Sequence, residues 1–101
     1  MSELLTDAQI HAALGALPTW HRSGDELEAS YTMADFPRGI DLVQLVATSA
    51  EAAGHHPDID IRWRTVTFRL SSHDAGGITT RDVNLARRIE GHAMDLGATT
   101  D

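Results

Sequence analysis

Three histidines, at two points of the chain, are the side chains best suited to chemistry. His55 and His56 are adjacent, and His73 follows further along. Histidine can give and take a proton near neutral pH because its unperturbed pKa is about 6.5. All three fall at the predicted ends of helices or strands, so the fold could bring them together. We therefore predict a proton-transfer site made of histidines.

Two carboxylates and one aromatic residue could support this site. Glu51 lies four residues before His55, on the same predicted helix face, where it either holds His55 or is a solvated charge. Trp63 could stack on a planar ligand, although a core or interface aromatic on an alternating strand is the favoured interpretation. Asp82 lies in the first turn of the last predicted helix, so a capping or structural role is as plausible as a catalytic one.

Other chemistries fit the sequence less well. Three histidines could form a zinc site, but adjacent histidines in an extended segment point to opposite faces. No phosphate loop or dinucleotide fingerprint is present. Ser71 or Ser72 with His73 could suggest a hydrolase, but strand neighbours do not easily form that geometry. The chain has no cysteine and no lysine, which excludes thiolate and Schiff-base catalysis. We expect neither a metal nor a cofactor.

The N-terminal third of the chain predicts a helix and a hairpin. Thr6 and Gln9 form a capping box before an apolar helical stripe. Alternating apolar residues then run from Trp20 to Met33 and predict strands. The turn between these strands is expected at 23–25, which is Ser-Gly-Asp.

The second predicted helix ends just before the paired histidines. Asp35 should cap its start, and Gly54 suits the left-handed cap at its end. Pro57 then keeps His56 out of the helical region. The alternation that follows changes parity near Arg64, which predicts two strands joined by a tight turn, each with its apolar side inward: Ile59, Ile61 and Trp63, then Val66, Phe68 and Leu70.

A last helix completes the predicted order α-β-β-α-β-β-α. Thr79 or Thr80 should cap this helix, and the tail from Gly97 is expected to fray. Helices that follow hairpins predict an α+β fold, in which helices cover one face of a four-stranded antiparallel sheet. A chain of 101 residues supports one domain, expected to span residues 1–101.

Charge and hydropathy narrow the range of partners. The net charge of −7 does not favour nucleic acid or anionic membranes. No apolar run approaches the roughly 20 residues that span a bilayer. The acidic N-terminal residues lack the layout of a signal peptide. A cytoplasmic protein without a nucleic-acid or membrane partner is expected.

The spacing of the candidate residues resembles the signature of the pterin-4a-carbinolamine dehydratases. That family combines a glutamate, a His-His-Pro sequence, an aromatic residue, a third histidine and a later aspartate. The same positions are occupied here by Glu51, His55-His56-Pro57, Trp63, His73 and Asp82. The similarity runs from about Leu4 to Glu90, and the family has the α+β arrangement predicted above.

This resemblance implies removal of water from a 4a-hydroxytetrahydropterin, giving the quinonoid dihydropterin during tetrahydrobiopterin recycling, without a cofactor. It implies that His55, His56 and His73 are catalytic and contact the substrate, with His55 as the acid for the hydroxyl. Three more residues match a segment that binds the pterin, partly through its backbone: Ser71, Ser72 and Asp74. The family usually has threonine in place of Ser72 and often glutamate in place of Asp74.

The resemblance also allows a non-enzymatic alternative. Some animal members act as dimerisation cofactors for a homeodomain transcription factor, and some relatives of the fold assist assembly of a carbon-fixing enzyme. Those assembly factors tend to lose the histidine signature, which this chain keeps. Family members associate as dimers or tetramers, so we expect a homo-oligomer.

Overall fold

The computed structural model describes residues 3–99 and confirms the predicted α-β-β-α-β-β-α order. The elements are α1 (Asp7–Leu14), β1 (His21–Ser23), β2 (Glu26–Thr32), α2 (Phe36–Ala53), β3 (Asp58–Arg62), β4 (Thr65–Leu70) and α3 (Thr80–Asp95). None of the helices within residues 3–99 is long and apolar enough to cross a membrane.

The four strands form one antiparallel sheet in the order β1-β2-β4-β3. The central strands β2 and β4 alternate buried and less buried residues, because α2 and α3 cover one face of the sheet. Their buried side chains form the centre of the core: Leu27, Ala29, Tyr31, Val66, Phe68 and Leu70. The predicted α+β class is confirmed.

Local capping signals set the helix ends where the sequence predicted them. Thr6 and Gln9 form the capping box of α1. Asp35 accepts a hydrogen bond from the backbone N–H of Arg38 at the start of α2. Gly54 ends α2 with a φ of 62°, a left-handed conformation that glycine adopts without a steric penalty.

The β3–β4 hairpin differs from the prediction. Trp63 lies in the turn with a φ of 55°, and it is 77% exposed, so it is neither a strand residue nor part of the core. Ile59 and Ile61 pair with the buried residues Phe68 and Val66, yet both remain partly exposed. The predicted inward face of β3 is only partly covered because β3 is the edge strand.

The C-terminal segment is ordered further than predicted. The chain reverses at Gly97, which has a φ of 78°. Thr99 then exchanges two backbone hydrogen bonds of 2.9 Å with Thr32 at the end of β2. The prediction of fraying from Gly97 is therefore wrong as far as Thr99.

Candidate active site

Most of the predicted site residues line a cavity of about 300 Å³, which lies where α2 and β4 end. Gly54 turns the chain out of α2, and β3 then pairs with β4, which brings the two segments side by side. We call this the histidine cavity, and its walls are Gly54, His55, His56, Ser71, His73, Asp74 and Arg81. The three histidines, which come from two separate points of the chain, thus border one cavity.

His55 is buried against Asp82. Its Nε2 lies 2.5 Å from Asp82 Oδ1, and Asp82 is 0% exposed. The other carboxylate oxygen accepts hydrogen bonds from the Thr79 backbone N–H and the Ser72 hydroxyl, each at 2.9 Å. The hydroxyls of Ser72 and Thr79 lie 2.8 Å apart. Asp82 therefore both closes the capping box of α3 and holds His55.

This arrangement assigns the proton positions on His55. A carboxylate can only accept, so the hydrogen lies on Nε2 of His55. Nδ1 makes no hydrogen bond to any residue from 3 to 99, and His55 borders the cavity. A ring held by a carboxylate on one nitrogen can exchange a proton through the other, because the carboxylate stabilises the imidazolium that forms.

Whereas His55 pairs with Asp82, His56 pairs with Glu51. Its Nε2 lies 2.9 Å from Glu51 Oε1, and both side chains are mostly exposed. The sequence suggested that Glu51 could hold His55, but Gly54 breaks the helical spacing between them. An exposed contact of this kind, whether a hydrogen bond or an ion pair, contributes at most about 1 kcal/mol.

His73 is presented by a tight turn over 72–77. The Ser72 carbonyl accepts hydrogen bonds from the backbone N–H groups of Ala75, Gly76 and Gly77. The His73 backbone is thereby fixed, while its side chain is exposed. The turn thus fixes the backbone of His73 and leaves its ring accessible on the cavity wall.

Asp74 ties this turn to α3. Its Oδ1 lies 2.6 Å from Nη2 of Arg81. The Arg81 guanidinium holds the pKa of Asp74 below its usual range, so Asp74 is a carboxylate at neutral pH.

Of the three remaining predicted residues, Ser72 and Trp63 do not line the cavity. Ser71 does line it, and its hydroxyl donates a hydrogen bond of 2.9 Å to the Asp25 carbonyl. Ser72 is 0% exposed and its hydroxyl bonds Asp82 and Thr79, so this side chain does not border the cavity, and its contact with substrate stays a prediction. Trp63 lies beyond β3, five residues after Asp58 and about 16 Å from it at 3.3 Å per residue, on the side away from the cavity.

Arg81 is the cavity residue that the sequence did not indicate. Its Nε is buried and has no hydrogen-bond partner among residues 3–99. Leaving a buried donor unpaired costs about 1–3 kcal/mol. The only available signal was its position directly before Asp82, which places it at the same helix end.

The other histidines lie outside the cavity. His11 and His21 are exposed. His92 is half-buried, with its Nε2 2.7 Å from Ser49 Oγ. Within residues 3–99, no three His, Cys, Asp or Glu side chains converge to hold a metal ion.

Comparisons with known proteins agree on one family. The family model described as Pterin 4 alpha carbinolamine dehydratase matches residues 3–92. A Nocardia farcinica protein, provisionally named a pterin-4-alpha-carbinolamine dehydratase, is 61% identical over 89 residues, which cover 88% of this chain and 94% of its own. A Roseiflexus castenholzii protein with the same provisional name is 53% identical over 90 residues, which cover 89% of this chain and 97% of its own. A crystal structure from Brucella melitensis superposes on this chain with a TM-score of 0.85 at 27% sequence identity. The match covers 88% of this chain and 97% of the Brucella protein, which is described as a transcriptional coactivator/pterin dehydratase. The chain therefore belongs to the pterin 4 alpha carbinolamine dehydratase family.

Proposed function

We propose that this protein is a 4a-hydroxytetrahydrobiopterin dehydratase that works by histidine acid–base catalysis. In the reaction, the 4a-hydroxyl takes a proton and leaves as water. The N5 proton is removed, and its bonding electrons form the double bond between N5 and C4a of the quinonoid dihydropterin. One proton is given and one is taken, with no net electron transfer, so the reaction requires no cofactor.

The observation that carries this proposal is the buried His55–Asp82 pair beside a cavity shared with His56 and His73. Protonated His55 donates from Nδ1 to the departing hydroxyl, and Asp82 stabilises the charged ring before the transfer. General acid–base groups of this kind typically contribute about 10²–10⁴-fold each.

His73 is the base in this proposal. Its ring makes no hydrogen bond within residues 3–99 and is exposed on the cavity wall. It can therefore turn toward N5 of a bound pterin without breaking an existing contact. His56 contacts the pterin from the same wall, with Glu51 orienting its ring. Ser71 and Asp74 border the remaining part of the ring site.

The proposal is tested by following the dehydration of freshly generated 4a-hydroxytetrahydropterin by absorbance. Wild type should raise the rate above the uncatalysed rate, which is measured in buffer alone and subtracted. His73→Ala should lower the catalysed rate at least about 10²-fold. His11→Ala, which changes an exposed histidine of α1, is the matched control and should retain the wild-type rate.

Failure of a folded wild type to accelerate dehydration would reject the proposal. The alternative, a protein-binding module on the same fold, would then take its place. One solved relative in this family is itself described as both a coactivator and a dehydratase. The histidine cavity favours the enzyme for this chain, because a protein-binding role does not require a buried acid–base pair.

We also propose that the chain forms a homo-oligomer in the cytoplasm. Strand β3 is an edge strand whose Ile59 and Ile61 are partly exposed. Open edges with apolar side chains favour pairing with another strand. A second copy can pair in the same way, because two antiparallel β3 strands are related by a two-fold axis.

A further inference from the structure

A second cavity lies directly beside the histidine cavity. It has a volume of about 470 Å³ and lies between α2 and α3. His55 and Arg81 border both cavities, so a molecule held against the histidines can extend into it. We call it the interhelical cavity, and its other walls are Ser49, Ala52, Ala53, Asn84, Leu85 and Arg88.

The charge of the interhelical cavity is opposite to that of the chain. The protein has 15 acidic and 8 basic residues, yet two arginines and no carboxylate line this cavity. Three carboxylates close to its walls in sequence are already engaged, since Asp82 is buried under His55, Asp74 pairs with Arg81 and Glu51 pairs with His56. Arg88 makes no ion pair within residues 3–99, so its positive charge is available to a ligand.

The hydrogen-bonding groups in this cavity are mainly donors. The Asn84 carbonyl oxygen accepts from Arg87 Nη1, which leaves the Asn84 amide N–H groups free to donate. Arg81 carries the buried Nε that has no partner among the described residues. Ser49 is already bonded to His92. The cavity thus combines positive charge, spare donors and a small apolar wall.

We infer that the interhelical cavity binds a negatively charged substituent, a carboxylate or a phosphate, carried by the molecule whose ring occupies the histidine cavity. This inference rests on the proposed function and adds a specificity site to it. Arg88 supplies the uncompensated charge, and Arg81 spans the two cavities. Substrates with a neutral side chain would gain nothing from these arginines.

The test compares ligands that share the dihydropterin ring and differ in the charge of the substituent at position 6. We would measure the Kd of 6-hydroxymethyl-7,8-dihydropterin, its phosphate ester and 7,8-dihydropterin-6-carboxylate by calorimetry. Wild type should bind at least one of the two anions about five-fold or more tightly than the neutral alcohol, as expected for a partly exposed charge pair. Raising the salt concentration should reduce this ratio. The two anionic ligands distinguish a phosphate site from a carboxylate site.

Two arginines provide a matched pair of variants. Arg88→Gln should abolish the preference for the anion. Arg38→Gln removes the same charge from an exposed arginine near the start of α2, which borders neither cavity, and should keep the preference. Thermal unfolding of both variants confirms that they are folded.

Equal wild-type affinities for the alcohol and both anions would overturn the inference alone, leaving the proposed function intact. So would a preference that survives in Arg88→Gln. Binding of none of the three ligands would overturn the inference, and the dehydration assay on the same wild type would then decide the proposed function separately.

Discussion

His55 Nε2 lies 2.5 Å from Asp82 Oδ1, and the same carboxylate caps the helix that begins beside it. One residue therefore sets both the start of α3 and the orientation of the proposed acid. This double use explains why the His55 ring is held rigidly although it follows a glycine-terminated helix.

Replacing Asp82 should separate its two roles. Asp82→Asn keeps the shape but cannot accept from all three donors, so we expect about 1–3 kcal/mol of lost stability. We also expect kcat to fall at least about 10²-fold with little change in KM, because the acid loses its supporting charge. Steady-state kinetics on the folded variant measure this, with Asp95→Asn at the exposed end of α3 as the control. A change in KM alone would contradict the positioning role.

Asp74 should not contribute to the pH dependence near neutrality. Because Arg81 lowers the pKa of Asp74 below its ordinary value of 3.8, the stabilisation from this pair is present above about pH 3.8 and is lost as the pH falls through the folded-state pKa. Asp74→Asn should leave the shape of the pH–rate profile unchanged between about pH 5 and 8, where histidines titrate. Loss of a limb within that range would show that Asp74 itself titrates during catalysis.

A buried network at the opposite end of the sheet should control stability. The Trp20 indole N–H donates to the Tyr31 hydroxyl at 2.8 Å, and that hydroxyl donates to Glu90 at 2.5 Å. Burial raises the pKa of Tyr31, so it remains a neutral donor. Tyr31→Phe should lower the free energy of unfolding by about 1–3 kcal/mol. Urea denaturation measures this, and an unchanged midpoint would argue against the network.

The exposed edge of β3 should determine the oligomeric state. We expect wild type to behave as a dimer or tetramer in size-exclusion chromatography with light scattering. Ile61→Glu introduces a charge on that edge and should shift the protein toward the monomer. Met94→Glu makes the same change at a partly exposed residue of α3 and should not, since it lies outside the edge. A monomeric wild type would reject the homo-oligomer.

Features that depend on neighbouring residues were predictable from the sequence. The caps at Thr6, Asp35 and Gly54 use contacts within one turn, so the sequence alone places the helix ends. The approach of His55 and His73 followed from the predicted elements. Their actual partners did not, because the contact between His55 and Asp82 depends on how α2, β4 and α3 pack.

Features set by position in the sheet were harder to predict. Trp63 adopts a φ of 55° in a turn without glycine, a conformation that residue preferences do not indicate. Ile61 alternates with polar residues as an inward-facing strand residue does. The sequence does not indicate, however, which strand lies at the edge of the sheet. The sequence also could not reveal that Arg81 would border both cavities, because this depends on how α2, β4 and α3 pack.

The most direct test of the account is a double-mutant cycle on His55 and Asp82 in the dehydration assay. We would measure the catalysed rate for wild type, His55→Ala, Asp82→Asn and the double variant. If Asp82 acts through His55, the double variant should be no slower than His55→Ala alone. Rates near wild type in His55→Ala, or losses that add fully in the double variant, would contradict the proposed role of this pair.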